Sequence, residues 1–154
     1  MINTSYDFDQ AILPTGKSLK ANLLLRFRAA EILESPRRNL NLSLVIDRSG
    51  SMAGAPLHHA LKAAESVVDE LETNDVLSVV VYDDRIDTVV PPQSVSDKSA
   101  IKDSIRRVRA GGITNLSGGW LQGCEHVTNQ LDSQKINRVL LLTDGRANMG
   151  VINP

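Results

Sequence analysis

The sequence "LSLVIDRSGSM" at residues 42–52 decides the fold that we expect for this chain. It opens with an apolar run that only Ser43 interrupts, without the alternation of a strand that faces water on one side. Such a run is typical of a strand buried on both faces, as in a parallel sheet. Small oxygen-bearing side chains follow at every second position, namely Asp47, Ser49 and Ser51. The sequence therefore predicts a buried strand that ends in a cluster of oxygen atoms.

Helical and strand patterns alternate along the chain after this stretch. The predicted elements are a helix over 56–72, strands over 75–82 and 85–90, helices over 97–109 and 117–131, and a strand over 138–145. Only "DD" separates the second and third strands, so we expect an antiparallel hairpin there. Pro91 and Pro92 are expected to end this hairpin. Ser96 is expected to cap the next helix, and the glycine pair at 111–112 to stop it.

The order of these elements predicts an α/β domain with a mostly parallel, Rossmann-like sheet and helices on both faces. With the strands numbered from 1 to 4 starting at 42–46, right-handed crossovers favour the order 3-2-1-4, with strand 3 antiparallel. The winding direction changes between strands 1 and 4, and open α/β sheets bind ligands at such a switch point. Asp47 and Asp144 terminate these two strands. We therefore expect the two carboxylates to be neighbours.

The N-terminal part of the chain is expected to form an extension, residues 1–38, ahead of a partial domain over 39–154. Residues 1–20 have no clear pattern and are predicted to be an irregular lead-in. "NLLLRFRAAE" (22–31) is predicted to be a strand, and "SPRRN" (35–39) a break.

The composition is that of an ordinary globular domain, 42% hydrophobic and 23% charged. A net charge of −1 gives no basis for binding nucleic acid or an anionic membrane. We see neither a signal peptide nor a run of about 18 apolar residues that could span a membrane. The single cysteine, Cys124, excludes an internal disulfide and favours a reducing compartment, the cytoplasm. Cys124 shares a helix face with Trp120 and Val127, which predicts a thiol packed in the core rather than a nucleophile.

The oxygen cluster indicates a hard cation. Asp47, Ser49 and Ser51 offer only oxygen donors, and no His or Cys belongs to the pattern, which disfavours zinc and copper. Gly50 allows the loop to fold back so that both hydroxyls face one centre, and Thr114 offers a third hydroxyl. Such a set does not readily surround Ca²⁺ with its about six to eight ligands, whereas Mg²⁺ keeps waters and accepts a partly open shell. Mg²⁺ is therefore the expected cofactor, with Mn²⁺ or Ca²⁺ as substitutes.

Three pieces of the sequence resemble the metal-ion-dependent adhesion site (MIDAS) of von Willebrand factor type A (VWA) domains. They are "DRSGS" (47–51), "GGITNLSGG" (111–119) and "LLTDG" (141–145). "DxSxS" alone is a weak signal, but three pieces in the right order on the right elements are specific. The sequence around them is similar to that of bacterial members of the family, and the resemblance covers residues 39–150.

This resemblance implies a role for each matching residue. Ser49, Ser51 and Thr114 are expected to supply hydroxyl ligands, while Asp47 and Asp144 are expected to bind the ion directly or through water. In the family, a carboxylate from a partner protein often completes the coordination. The resemblance therefore implies a metal-dependent protein-binding module that recognises a partner's Asp or Glu, and not an enzyme.

The resemblance also implies a domain shortened at its C-terminus, because complete family members continue past "TDG" with further strand and helix units. The outer edge of the strand over 138–143 is then expected to lack a partner, which favours association. Three arrangements follow: a truncated chain, pairing with a second polypeptide or a second copy, or cover from the strand in 22–31. We expect the isolated chain to self-associate or to be marginally stable.

Two other functions stay open from the sequence alone. The first is a Mg²⁺-dependent phosphohydrolase or phosphotransfer domain on a similar sheet. A phospho-aspartate hydrolase usually has a second carboxylate two residues after its nucleophile, where this chain has Ser49. The "GxxxxGK[ST]" pattern of a phosphate-binding loop is also absent from the sequence. The second is a metal-free structural fragment that completes another chain.

Overall fold

The computed structural model describes residues 2–8, 16, 22–29 and 37–145. The chain divides into two compact units, Met1–Arg37 and Arg38–Pro154. None of the helices in the described part of the chain combines the length and the apolar character that crossing a bilayer requires.

The N-terminal unit contains an antiparallel pair of strands, β1 (Ile2–Phe8) and β2 (Leu23–Ala29). β2 confirms the strand predicted within 22–31, whereas β1 shows that the irregular lead-in predicted over 1–20 is wrong at residues 2–8. Apart from Gly16, the rest of that stretch lies outside the described residues. The overlooked signal is a period of two, because residues that favour strands occupy every second position of β1. These residues are Ile2, Thr4, Tyr6 and Phe8.

The second unit is built around a four-stranded sheet in the order β5-β4-β3-β6. Its strands are β3 (Leu40–Asp47), β4 (Val76–Tyr82), β5 (Ile86–Ser94) and β6 (Ile136–Leu142). β3 is parallel to β4 and β6, and β5 is antiparallel to β4. The predicted order 3-2-1-4 and the Rossmann-like α/β class are thus confirmed. β2 pairs with β1 in a separate two-stranded sheet, and the arrangement in which it covers the edge of the strand over 138–143 stays a prediction.

Helices lie on both faces of this sheet. The helical elements described are a 3₁₀ turn at Gly50–Met52, α1 (Ala55–Glu70), α2 (Lys98–Arg106) and α3 (Leu116–Asn129). Alternate residues of β3 face opposite ways. Leu44 joins a core with Val68 of α1 and Ile105 of α2. Val45 joins a second core, on which Leu116 of α3 packs.

β5 continues through Pro91 and Pro92 to Ser94, contrary to the prediction that the prolines end it. β5 lies at an edge of the sheet, where proline is tolerated because one side of the strand needs no ladder donors. The register with β4 also shifts near the prolines, between Leu77 and Val79. The two missing N–H groups therefore fall at an irregularity of an edge strand.

The limits of α2 differ from the prediction at both ends. Its N-cap is Asp97, whose carboxylate accepts the N–H of Ala100 at 2.9 Å, and not the predicted Ser96. A carboxylate at this position also interacts favourably with the helix dipole. The helix ends at Arg106, well before the glycine pair at 111–112. These glycines therefore do not serve as its stop signal.

α3 presents a glycine face, not its tryptophan, to the sheet. Gly119 and Val127 are buried, and a Cβ at Gly119 would lie 2.5 Å from the ring of Tyr82. Glycine lets the helix lie directly on β4 at this point. Trp120 is 40% exposed and Cys124 is only partly buried, so the predicted core face of this helix is confirmed at Val127 and wrong at Trp120.

Candidate metal centre

The carboxylate of Asp47 lies at the end of β3, fully buried, and accepts hydrogen bonds from several directions. Oδ1 accepts the backbone N–H of Ser49 at 2.8 Å. Oδ2 accepts the hydroxyl of Thr143 at 2.8 Å and the hydroxyl of Tyr82 at 3.3 Å. Tyr82 ends β4, and Thr143 directly follows β6. Asp47 thus joins the carboxyl ends of three adjacent strands.

The loop after β3, residues 48–52 and here named the serine loop, brings two hydroxyls together. Ser49 Oγ and Ser51 Oγ are 3.2 Å apart. The 3₁₀ turn Gly50–Met52 produces this fold-back, and the N–H of Met52 donates to the carbonyl of Ser49 at 2.9 Å. Ser49 is buried, whereas Ser51 is exposed. The hydroxyl pair therefore leads from the buried end of β3 to the surface.

Thr114 is buried on the loop before α3, residues 109–115 and here named the threonine loop. This loop is tied to the serine loop through the backbone, because the N–H of Gly50 donates to the carbonyl of Gly112 at 2.8 Å. Asn115 then caps α3 and fixes the end of the loop. The structure thus places the third predicted hydroxyl on a segment that is hydrogen-bonded to the serine loop.

Asp144 is exposed and lies two residues beyond β6. The parallel register of β6 and β3 places the preceding Thr143 beside Asp47. Burial raises the pKa of Tyr82 to about 12; the charges of Asp47 and Asp144 act in the same direction, and the hydrogen bond with Thr143 acts against it. The charge of Asp144 is therefore felt at the phenol that also contacts Asp47.

The donor atoms of the predicted set fit a hard cation, since all of them are oxygens. Asp47, Ser49 and Ser51 are linked by direct hydrogen bonds, Thr114 is linked through the backbone, and Asp144 follows the strand beside them. Among the described residues, no cluster of three or more His, Cys, Asp or Glu side chains could hold a metal. The ligand assignment itself stays a prediction.

Sequence reasoning missed two residues that bind Asp47. Tyr82 lies directly opposite Asp47 in the parallel register of β3 and β4. Thr143 stands immediately before Asp144, at the same edge of the sheet. Both could have been found by asking which polar side chains end the strands next to β3.

The sequence also did not reveal the role of Arg48. Its side chain binds carboxylates of the β4–β5 hairpin. Its Nε donates to Oδ2 of Asp83 at 3.1 Å, and its Nη2 donates to Oδ1 at 3.3 Å and to Asp87. Desolvation acts against the charged form of Arg48, but the two carboxylates outweigh it and raise its pKa. Desolvation likewise opposes the charge of Asp83, but hydrogen bonds from Arg85 and Arg48 outweigh it and lower its pKa. The sequence indicates a hairpin role for Asp83, with a secondary contact to the metal as the alternative.

Relatives of known sequence match most of this chain. Uncharacterized protein sll0103 of Synechocystis sp. is 38% identical over 114 residues, which are 74% of this chain and 27% of that protein. Uncharacterized protein YfbK of Escherichia coli is 33% identical over 139 residues, which are 88% of this chain and 23% of that protein. The chain therefore spans about a quarter of the length of these relatives.

The fold is also found in proximal thread matrix protein 1 from the mussel byssus, whose structure has a zinc-occupied MIDAS motif. That structure matches with a TM-score of 0.64 at 22% identity, over 73% of this chain and 33% of that one. The model of the von Willebrand factor type A domain matches residues 41–154. Domains of this family typically mediate protein–protein interactions and commonly bind a divalent metal at the MIDAS. The resemblance to the family is confirmed, whereas the metal site and the shortened C-terminus that it implied stay predictions; the chain belongs to the von Willebrand factor type A domain family.

Proposed function

We propose that this chain is a divalent-metal-dependent protein–protein interaction module. Asp47, Ser49, Ser51, Thr114 and Asp144 would hold Mg²⁺, and an Asp or Glu of a partner protein would complete the coordination. The observation that carries this proposal is the hydroxyl pair of Ser49 and Ser51, 3.2 Å apart directly beyond the buried carboxylate of Asp47. Two hydroxyl oxygens at this separation are close enough to serve as neighbouring ligands of one ion.

The chemistry of the set favours Mg²⁺, with Mn²⁺ or Ca²⁺ as substitutes. Hydroxyl oxygens are weak ligands for soft metals, and Mg²⁺ accepts a shell that water completes. Asp47 is occupied by hydrogen bonds from Ser49, Thr143 and Tyr82. These donors fix the orientation of its carboxylate, which is how surrounding hydrogen bonds orient metal ligands generally.

Some of the five proposed ligand residues are exposed, which supports the binding of a carboxylate from a partner protein. Ser51 and Asp144 are exposed, while Asp47, Ser49 and Thr114 are buried. An ion held from one side by few carboxylates keeps positive charge toward solvent, where it attracts a carboxylate. The module is proposed to bind and not to catalyse, since Ser49 stands where a phosphohydrolase of this type has its second carboxylate.

The test for metal binding is titration calorimetry with MgCl₂ and with MnCl₂ on the chelator-treated chain. We expect binding heats in the wild type and a loss of affinity of about tenfold or more in Ser49→Ala/Ser51→Ala, because neutral ligands are removed. Ser66→Ala/Ser104→Ala is the matched control, since both hydroxyls donate to helical carbonyls away from the centre. Equal heats in the wild type and in the Ser49/Ser51 variant would refute the proposal.

The test for the partner carboxylate compares an immobilised glutamate-rich peptide with its glutamine counterpart. We expect Mg²⁺-dependent retention on the glutamate peptide that EDTA abolishes. Retention that resists EDTA would instead favour the metal-free structural fragment. A phosphatase screen with Mg²⁺ belongs to the same series, since turnover lost in Asp47→Asn would establish an enzyme.

A second contact is proposed at the edge of β6, which is the outer strand of the described sheet. Leu140 in this strand is 43% exposed, and an apolar edge strand favours pairing with another chain. We propose that the chain self-associates or binds a second polypeptide along this edge. Light scattering should show a dimer or larger species that Leu140→Lys weakens; a monomer at every concentration would exclude self-association.

A further inference from the structure

Asp83 follows β4 at the carboxyl end of the sheet, and two neighbouring loops bind to it. Arg48 of the serine loop donates to both oxygens of its carboxylate, at 3.1 Å and 3.3 Å. Gly112 of the threonine loop donates its N–H to Oδ2 at 3.3 Å. Asn115, at the end of the same loop, donates its N–H to the backbone carbonyl of Asp83 at 2.8 Å. Asp83 therefore connects the serine loop with the threonine loop.

The threonine loop packs against this carboxylate without a side chain between them. A Cβ at Gly111 would lie 1.8 Å from Oδ2 of Asp83, so only glycine allows this approach. The N–H of Gly111 also donates to the carbonyl of Arg48 at 2.7 Å. The glycine pair of this loop thus serves the contact with Asp83 and the serine loop.

We propose that Asp83 is a positioning residue for cation binding, which sets the separation of the serine and threonine loops through its ion pair with Arg48. This inference rests on the proposed function, because it assigns the spacing of Ser49 and Thr114 to a residue that is not itself a ligand. Ligand oxygens on two loops bind one ion well only if the loops are held in place before binding, and outer residues commonly do this.

The burial of the ion pair suits this task. The side chains of Arg48 and Asp83 are 18% and 8% exposed. A paired charge in such surroundings is screened little by salt, and losing one partner leaves the other without compensation. Asp87 also contacts Arg48, but its side chain is 51% exposed. Asp83 is therefore the partner that fixes the guanidinium.

Asp75 offers a matched control at the opposite end of β4. It is buried, as Asp83 is, and its two oxygens accept the N–H groups of Leu40 and Glu72, each at 2.7 Å. Asp75→Asn removes a buried carboxylate that directly precedes β4, at the end of the strand opposite to both loops. A global loss of stability and a local loss of loop positioning can thus be separated.

The first experiment measures amide hydrogen exchange by NMR in the full chain with EDTA present. If Asp83 positions the loops, Asp83→Asn speeds exchange at Gly50, Gly111 and Asn115 relative to the core strands. Asp75→Asn leaves these three amides at their wild-type rates relative to the same strands. Equal acceleration in both variants, or none in Asp83→Asn, overturns the proposal. This readout does not require metal binding.

The second experiment measures the Kd of MgCl₂ and MnCl₂ by titration calorimetry. We expect Asp83→Asn to weaken binding by about 10- to 100-fold, as for other residues that orient metal ligands, and Asp75→Asn to leave it unchanged. A Kd that rises equally in both variants shows a merely structural role and overturns the inference. If the wild type binds neither ion, the proposed function fails, while the exchange rates still decide whether Asp83 positions the loops.

Arg48→Gln provides an independent variant in case Asp83→Asn does not fold. It removes the other half of the ion pair and is expected to show the same exchange pattern and the same loss of affinity. Because the two residues act as one unit, the double variant should be no weaker in metal binding than the single variants. Effects of the two substitutions that add in full would overturn the inference.

Discussion

The two ends of the main sheet both bury polar side chains, but they use them differently. At the amino end, the amide of Asn41 donates to the carbonyls of Val127 and Gln130, each at 2.9 Å, and so binds the end of α3. Asp75 accepts the N–H of Leu40 at 2.7 Å. These groups join backbone segments to each other, and all of this bonding is internal to the fold.

At the carboxyl end of the sheet, a similarly buried carboxylate is connected to the protein surface. Asp47 is fully buried, but the next hydroxyls along the chain reach the surface at Ser51. A hydroxyl carries two lone pairs, and the mutual contact of Ser49 and Ser51 uses only one lone pair of one partner. Burial of polar groups therefore does not mark a site by itself. A chain of oxygens from the core to solvent distinguishes this end.

The comparison is tested most strongly by removing the buried carboxylate at each end. Asp47→Ala deprives Ser49, Thr143 and Tyr82 of their acceptor, and unfolding in urea with EDTA should show a loss of about 3 kcal/mol. Asp75→Ala should cost a similar amount. Only Asp47→Ala should also abolish Mg²⁺ binding in calorimetry. If Asp75→Ala weakens Mg²⁺ binding as much, the two ends do not differ in function.

A smaller effect is expected where α3 supports the carboxyl end. Gly119→Ala would place a Cβ 2.5 Å from the ring of Tyr82. Such overpacking costs about 1–3 kcal/mol, whereas alanine favours a helix over glycine by about 1 kcal/mol. A net loss of about 1 kcal/mol in urea unfolding is therefore expected. Leu121→Ala, at a 65% exposed position of the same helix, should change stability by less than about 0.5 kcal/mol. A stabilised Gly119→Ala would contradict the close packing.

The sequence was sufficient to predict the sheet order because each strand of the main sheet carries its own apolar run, and the crossover rule then leaves one arrangement. It failed for β1, whose period of two was overlooked, and for Pro91, where position at an edge overrides the usual effect of proline. Local sequence patterns therefore predict which segments form strands and helices, whereas the ends of these elements depend on the segments that pack beside them.

The candidate site was predicted only as far as its motif residues. The place of Thr143 and Tyr82 at the ends of neighbouring strands could have named them as candidates, but which oxygen of Asp47 each one binds depends on the register of three strands. The ion pair of Arg48 and Asp83 joins residues 35 positions apart through side chains of two loops. Contacts of this kind follow from the packing of the loops, so they became visible only in the structure.

A pH titration sharpens the comparison for Asp83, since its folded-state pKa lies below the ordinary value of 3.8. A lowered pKa means that the folded state favours the charged carboxylate. The resulting stabilisation is complete above pH 3.8 and is lost as pH falls through the lower folded-state pKa. The free energy of unfolding of the wild type, measured with EDTA, should approach that of Asp83→Asn below about pH 4. A constant difference from pH 7 to pH 3 would contradict this.

The smallest effect is expected at an ion pair on the helical surface, which tests whether burial gives the pair of Arg48 and Asp83 its importance. Arg106 contacts Glu65 at 2.7 Å, a shorter distance than the 3.1 Å between Arg48 and Asp83, but the side chain of Arg106 is 55% exposed. Solvent and salt screen such a pair, and ordering two long side chains offsets its attraction. Arg106→Gln should leave the urea midpoint and the Mg²⁺ affinity within error of the wild type. A loss as large as that of Arg48→Gln would show that contact distance, not burial, decides the strength of these pairs.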